Sequence, residues 1–164
     1  IEGTDFTAPY PSGQIINQVM PGATGAGGAI RVQAGRIVAR EGGDIQTLTI
    51  GSGDAGSITV NADSILLTDP VFYRSPILGD QIAHGGIASI TAMDGDAGQI
   101  TVNARQIEMY NGGRILTLNF PTATGKGGDI TVNSDRIIAS GVTEFFGSSG
   151  IQALAMGFGE GGNC

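Results

Sequence analysis

The sequence predicts an all-β fold, a right-handed single-stranded parallel β-helix with three short strands per coil and a basic coil of roughly 28–30 residues. Three observations carry this expectation. The unit Gly53-Asp54-Ala55-Gly56-Ser57-Ile58-Thr59-Val60-Asn61-Ala62 recurs at residues 25–34, 95–104 and 125–134, and a further copy begins at Gly159. Isoleucines return at matching offsets in each unit. No stretch shows the i, i+3, i+4, i+7 spacing of an amphipathic helix.

The second fixed glycines, Gly28, Gly56, Gly98, Gly128 and Gly162, set the frame at intervals of 28, 42, 30 and 34 residues. The first strand of each unit follows that glycine. Alternation places Ile30, Val32 and Ala34 on one face, then Ile58, Val60 and Ala62, Ile100, Val102 and Ala104, and Ile130 and Val132. The opposite face carries Arg31, Thr59, Thr101 and Thr131, then Gln33, Asn61, Asn103 and Asn133. These amides read either as a stacked Asn ladder or as a solvated row, and the alternation leaves both open. The second strand lies two residues on and repeats Ile37, Ile65, Ile107 and Ile137. So short a gap suits a corner better than a hairpin. The third follows another glycine and repeats Ile45, Ile87, Ile115 and Ile151, with Ile15 in the same slot. Glycines at the corners are expected to supply positive φ. A sandwich gives no reason for isoleucines at matching offsets, and the shorter units cannot hold the four strands of a propeller blade.

The chain then divides into a partial coil over residues 1–24, coils near 25–52, 53–94, 95–124 and 125–158, and a partial coil over 159–164, all one segment of a longer repeat protein. Two coils carry insertions: residues 69–80, with Phe72, Tyr73 and Arg74, and residues 141–149, with Phe145 and Phe146. Together with the stretch 4–12, these segments hold six of the nine aromatic residues, so the inserted loops are the candidate partner-binding sites. Opposite the core isoleucines, Leu48, Ile90, Leu118 and Leu154 form a candidate exposed apolar row. Val38, Leu66 and Ile138 form a second. Such stripes mark contact surfaces. They are expected either to be covered by the insertion loops or to serve lateral association.

The pattern G-x-G/A-G-x-I-x-V-x-A, then x-I-x-L, then G-G-x-I-x-T resembles the repeats of filamentous-haemagglutinin-like exoproteins, most closely those of cyanobacteria. Here it reads as Gly53 to Ala62, Ser64 to Thr68, and Gly42 to Thr47. The resemblance implies a β-helix segment of a long secreted or cell-surface protein, exported by two-partner secretion, with a role in adhesion or biofilm matrix. Host or matrix glycans or proteins would be its partners.

Composition narrows the chemistry. A net charge of −7 with Lys126 as the only lysine disfavours nucleic acid, and no apolar run is long enough for a spanning helix. Cys164 is the single cysteine of this sequence, which leaves no internal disulfide within it. His84 is the only histidine and reads as a loop residue before Gly85-Gly86; the sequence offers it no catalytic or metal partner. Asp54 and Asp96 sit in glycine turns that faintly resemble calcium repeats, but they lack the tandem spacing such a site needs. Asp63 and Asp135 share an offset that Arg105 interrupts, and Asp44 and Arg114 share another. Neither pair forms a glycosidase-like carboxylate constellation. The expectation is a structural or adhesive rod, not an enzyme, with no cofactor and no metal. A carbohydrate-binding or carbohydrate-cleaving β-helix is the alternative. The mid-repeat start and finish make end-to-end self-association a third reading.

Overall fold

The computed structural model describes residues 13–75, 79–144 and 147–164, without the side chains of 73–75 and 79–82. All regular structure among the described residues is β. Nine principal strands alternate between two parallel sheets: β1 (Gln14–Val19), β2 (Ile30–Ala39), β3 (Asp44–Thr49), β4 (Ile58–Thr68), β7 (Ile87–Thr91), β8 (Ile100–Tyr110), β9 (Arg114–Asn119), β10 (Ile130–Ser140) and β13 (Gly150–Ala155). One sheet has the order β1-β3-β7-β9-β13 and the other β2-β4-β8-β10, so both grow in the same direction along the chain. Two small antiparallel hairpins occupy the inserted segments: β5 (Val71–Ser75) with β6 (Gly79–Ala83), and β11 (Val142–Thr143) with β12 (Gly147–Ser148).

The repeats read from the sequence pair in register. Ile30, Ile58, Ile100 and Ile130 are successive partners across one sheet; Ile15, Ile45, Ile87, Ile115 and Ile151 are successive partners across the other. A one-residue slip would turn every isoleucine outward, so the apolar face fixes the register. The main buried cluster takes Ile58, Val60, Ile65, Leu67, Ile100 and Ile107 from one sheet and Ile45, Ile87 and Ile115 from the other.

Two sequence expectations need correction. The first and second runs of each repeat are one continuous strand, giving two long-range strands per repeat instead of three. The corner survives as a change of phase inside that strand. Ile58 and Val60 face the core at even positions, Ile65 and Leu67 at odd ones, and Asp63 and Ser64 both stand off it. Two successive outward residues bend the strand around the core, and the register pairs skip that point (Gly35, Asp63, Arg105, Asp135).

The second correction concerns the repeated glycines. Gly56, Gly98, Gly128 and Gly162 do not have positive φ. They are glycine because a Cβ on each would fall on the carbonyl of the preceding one: Gly28, Gly56, Gly98 and Gly128 in turn. Backbones packed this closely leave no room for a side chain. Positive φ occurs elsewhere, one or two residues after the long strands: Glu41, Asp69, Asn111 and Gly141. After Glu41 and Asn111 a second positive-φ residue, Gly42 and Gly112, closes a four-residue turn. Gly43 N–H donates to the Arg40 carbonyl and Gly113 N–H to that of Tyr110 (2.9 and 2.8 Å). After Asp69 and Gly141 the insertions begin.

The glycine-rich returns are tied down from inside. Thr49, Thr91 and Asn119 are register partners on the inner face, and their side chains donate to the carbonyls of Gly53, Gly95 and Gly125 respectively. Thr47 Oγ1 donates to Ser89 Oγ (2.9 Å), which in turn accepts the Gly98 N–H (2.7 Å). Replacing Thr91 by Val keeps the shape and leaves the buried Gly95 carbonyl without this donor. Urea unfolding is expected to show a loss of about 1–3 kcal/mol.

Candidate functional site

Three features bear on function. The first is the outer face of β2-β4-β8-β10. Asn103 Nδ2 donates to Asn61 Oδ1 (2.9 Å) and Asn133 Nδ2 to Asn103 Oδ1 (2.8 Å), so the amides form a hydrogen-bonded ladder that also faces solvent. Beside it, at the strand bend, Arg105 Nη2 lies 3.1 Å from Asp63 Oδ1 in an exposed ion pair. An open groove between β8 and β10 is lined by Asn103, Arg105, Asn133 and Asp135, and a neighbouring one between β2 and β4 by Gln33, Gly35, Asn61 and Asp63. Both lie along the direction in which the strands stack.

The second is the set of inserted loops. Phe72 is exposed on β5, whereas Tyr73 and Arg74 are placed only by their backbone pairing with Gln81 and Asp80. Phe145 and Phe146 lie outside the described residues. Val71 packs where a Cβ on Gly42 would go, so the first hairpin folds back against the turn before β3.

The apolar row expected to be exposed is not open at its centre. Leu48 and Ile90 are only 6% and 3% exposed and belong to a second buried cluster with Ile50, Ala88 and Leu116; Leu118 packs against it, and Leu154 on the edge strand is exposed. The middle of this sheet is buried on both faces, the usual state of a parallel sheet. The other row, Val38, Leu66 and Ile138, is half-buried and interrupted by Glu108, to which Gln106 Nε2 donates.

The third feature is one that sequence reading missed. His84 lies in the connection before Gly85-Gly86, as its sequence context suggests, but it is buried. Its backbone N–H donates to Asp44 Oδ2 (3.3 Å), and its Nδ1 lies 3.5 Å from the same oxygen. Asp44 is completely buried. Asp44 and Arg114 hold the same strand position with Gly86 between them. Burial lowers the Arg114 pKa from its usual value, and Arg114 Nε donates to the Gly112 carbonyl (3.3 Å). Forty residues separate Asp44 from His84, and only the path of the inserted hairpin brings them together.

The glycine-turn aspartates have structural work. Asp54 Oδ1 accepts the Asp96 N–H (2.9 Å), Asp96 Oδ1 that of Lys126 (2.7 Å) and Asp129 Oδ1 that of Asn163 (2.8 Å). Each carboxylate thus ties its turn to the next. Lys126 Nζ sits 3.0 Å from Glu160 Oε2; that hydrogen bond, helped by the charge of Glu160, raises the lysine pKa. A raised lysine pKa adds stability that is lost only as pH climbs through the folded value, on the alkaline side of the usual lysine range. Among the described residues no three His, Cys, Asp or Glu side chains are grouped to hold a metal ion, and no helix is long and apolar enough to cross a membrane.

Comparison with protein-family models, with curated proteins and with solved structures finds no match to this chain.

Proposed function

We propose that the chain is a segment of a right-handed parallel β-helix and serves as a stiff rod in a secreted or cell-surface exoprotein, displaying its inserted loops to surface glycans or proteins. The observation that supports this reading is the in-register succession of like residues through both sheets, strand after strand. Such an array gains stability from neighbour interfaces and can be extended by repetition. The resemblance to filamentous-haemagglutinin-like repeats points the same way.

The test separates rod from loop. In the unit without an insertion, Asn111, Gly112 and Gly113 connect β8 to β9. Replacing residues 69–85 by Asn-Gly-Gly should keep the β circular-dichroism spectrum and cooperative urea unfolding, while adhesion of chain-coated beads to matrix or cell surfaces falls. Adhesion undiminished by loss of either insertion would refute display by the loops. Loss of the β spectrum or of cooperative unfolding on loop replacement would refute a rod whose stability is independent of its loops.

The groove beside the Asn ladder favours a second reading, binding of an extended glycan along the stack. Its wall repeats an amide donor and acceptor on successive strands. Glycan-array binding that survives loop replacement and disappears in Asn103→Ala would favour this reading over the first.

A further inference from the structure

We infer that Asp44 and His84 form a binding site for one divalent transition-metal ion of the zinc type. The His84 Nδ1 and Asp44 Oδ2 atoms are 3.5 Å apart and make no hydrogen bond to each other. Two ligands each about 2.1 Å from a zinc ion at a tetrahedral angle stand about 3.4 Å apart, so the separation that is too long for a hydrogen bond fits a shared metal. Both side chains are more than nine-tenths buried, and both present an unpartnered atom: Nδ1 of His84 and Oδ1 of Asp44. Orphaned buried polar atoms are costly and call for a partner.

The fold supplies a third candidate ligand. Gln14 is the register partner of Asp44 on the adjacent strand, and its Nε2 is likewise buried and unpartnered. An amide can present its oxygen instead of its nitrogen by a half-turn, so Gln14 can offer an oxygen at the same row. Neutral imidazole, carboxylate and amide oxygen form a donor set of borderline character, with solvent completing four-coordination. His84 is anchored for this role by its own N–H on Asp44 Oδ2 (3.3 Å). Bound there, the ion would fasten the end of the inserted hairpin to β3 and make the stability of that junction depend on metal.

The composition makes the test clean, because the chain has one histidine and one cysteine. In a Cys164→Ser background, Zn2+ titrated into the full chain should bind at one equivalent and raise Tm, and Co2+ should give visible absorption bands of a nitrogen–oxygen site. Adding His84→Gln should abolish both, as should Asp44→Asn. Should Asp44→Asn fail to fold, the 15N shift of the His84 imidazole on zinc addition decides instead, with a large change at Nδ1 expected. Absence of binding at millimolar zinc, an unmoved Nδ1 resonance, or equal binding in His84→Gln would overturn the proposal.

Discussion

Gly98→Ala is expected to destabilise the protein by about 3 kcal/mol, the upper end of what overpacking usually costs. The added methyl would fall on the carbonyl carbon and oxygen of Gly56. Neither atom belongs to a flexible side chain, so the two backbones must separate. The ladder bonds that flank the contact, Ala55 N–H to Asp96 O (2.8 Å) and Ile58 N–H to Gln99 O (2.9 Å), stretch with them. The same substitution at Gly25, which heads its own glycine turn, meets nothing within 4 Å and has no positive φ. Gly25→Ala should therefore stay within about 0.5 kcal/mol of the parent. Urea unfolding of the two variants measures the difference. Equal effects would mean that the glycines are required for local conformation and not for close stacking.

Ile107→Ala should cost about 3 kcal/mol, within the range for truncating a buried isoleucine, whereas Ile137→Ala should cost less than about 1 kcal/mol. The two residues are register partners in one column of isoleucines. Ile107 is 0% exposed because β4 and β10 flank its strand on both sides; Ile137, on the edge strand β10, is 45% exposed. Identical chemistry at identical repeat positions thus isolates the value of a neighbouring strand. Thermal or urea unfolding of both variants provides the comparison, and similar losses would contradict a stability built from strand–strand interfaces.

The candidate surfaces were unequally legible from sequence. The Asn ladder announced itself, since Asn61, Asn103 and Asn133 recur at one offset, and the structure joins the two readings left open: the ladder is both hydrogen-bonded and solvent-facing. The inward polar column of Thr49, Thr91 and Asn119 also left a signal, polar residues four positions after the repeated isoleucines Ile45, Ile87 and Ile115. A rule that assigns polar side chains to the outside overlooks them. They face inward because the glycine carbonyls there need donors.

The sequence by itself determined the all-β class, the repeat frame and the inward isoleucine columns. Period-2 alternation and recurrence at fixed offsets are periodic signals, and side chains that repeat along a chain must stack when the strands pair in parallel. Only the tertiary structure decided three other matters. It merged two runs into one bent strand, because pairing continues on both sides of Asp63-Ser64 while the core face changes phase. It buried Leu48 and Ile90 on a face that alternation assigns to solvent. It brought His84 against Asp44 by returning the inserted segment to the start of β3. Each of these depends on where non-repeating or locally irregular segments pack, and a periodic pattern carries no information about that.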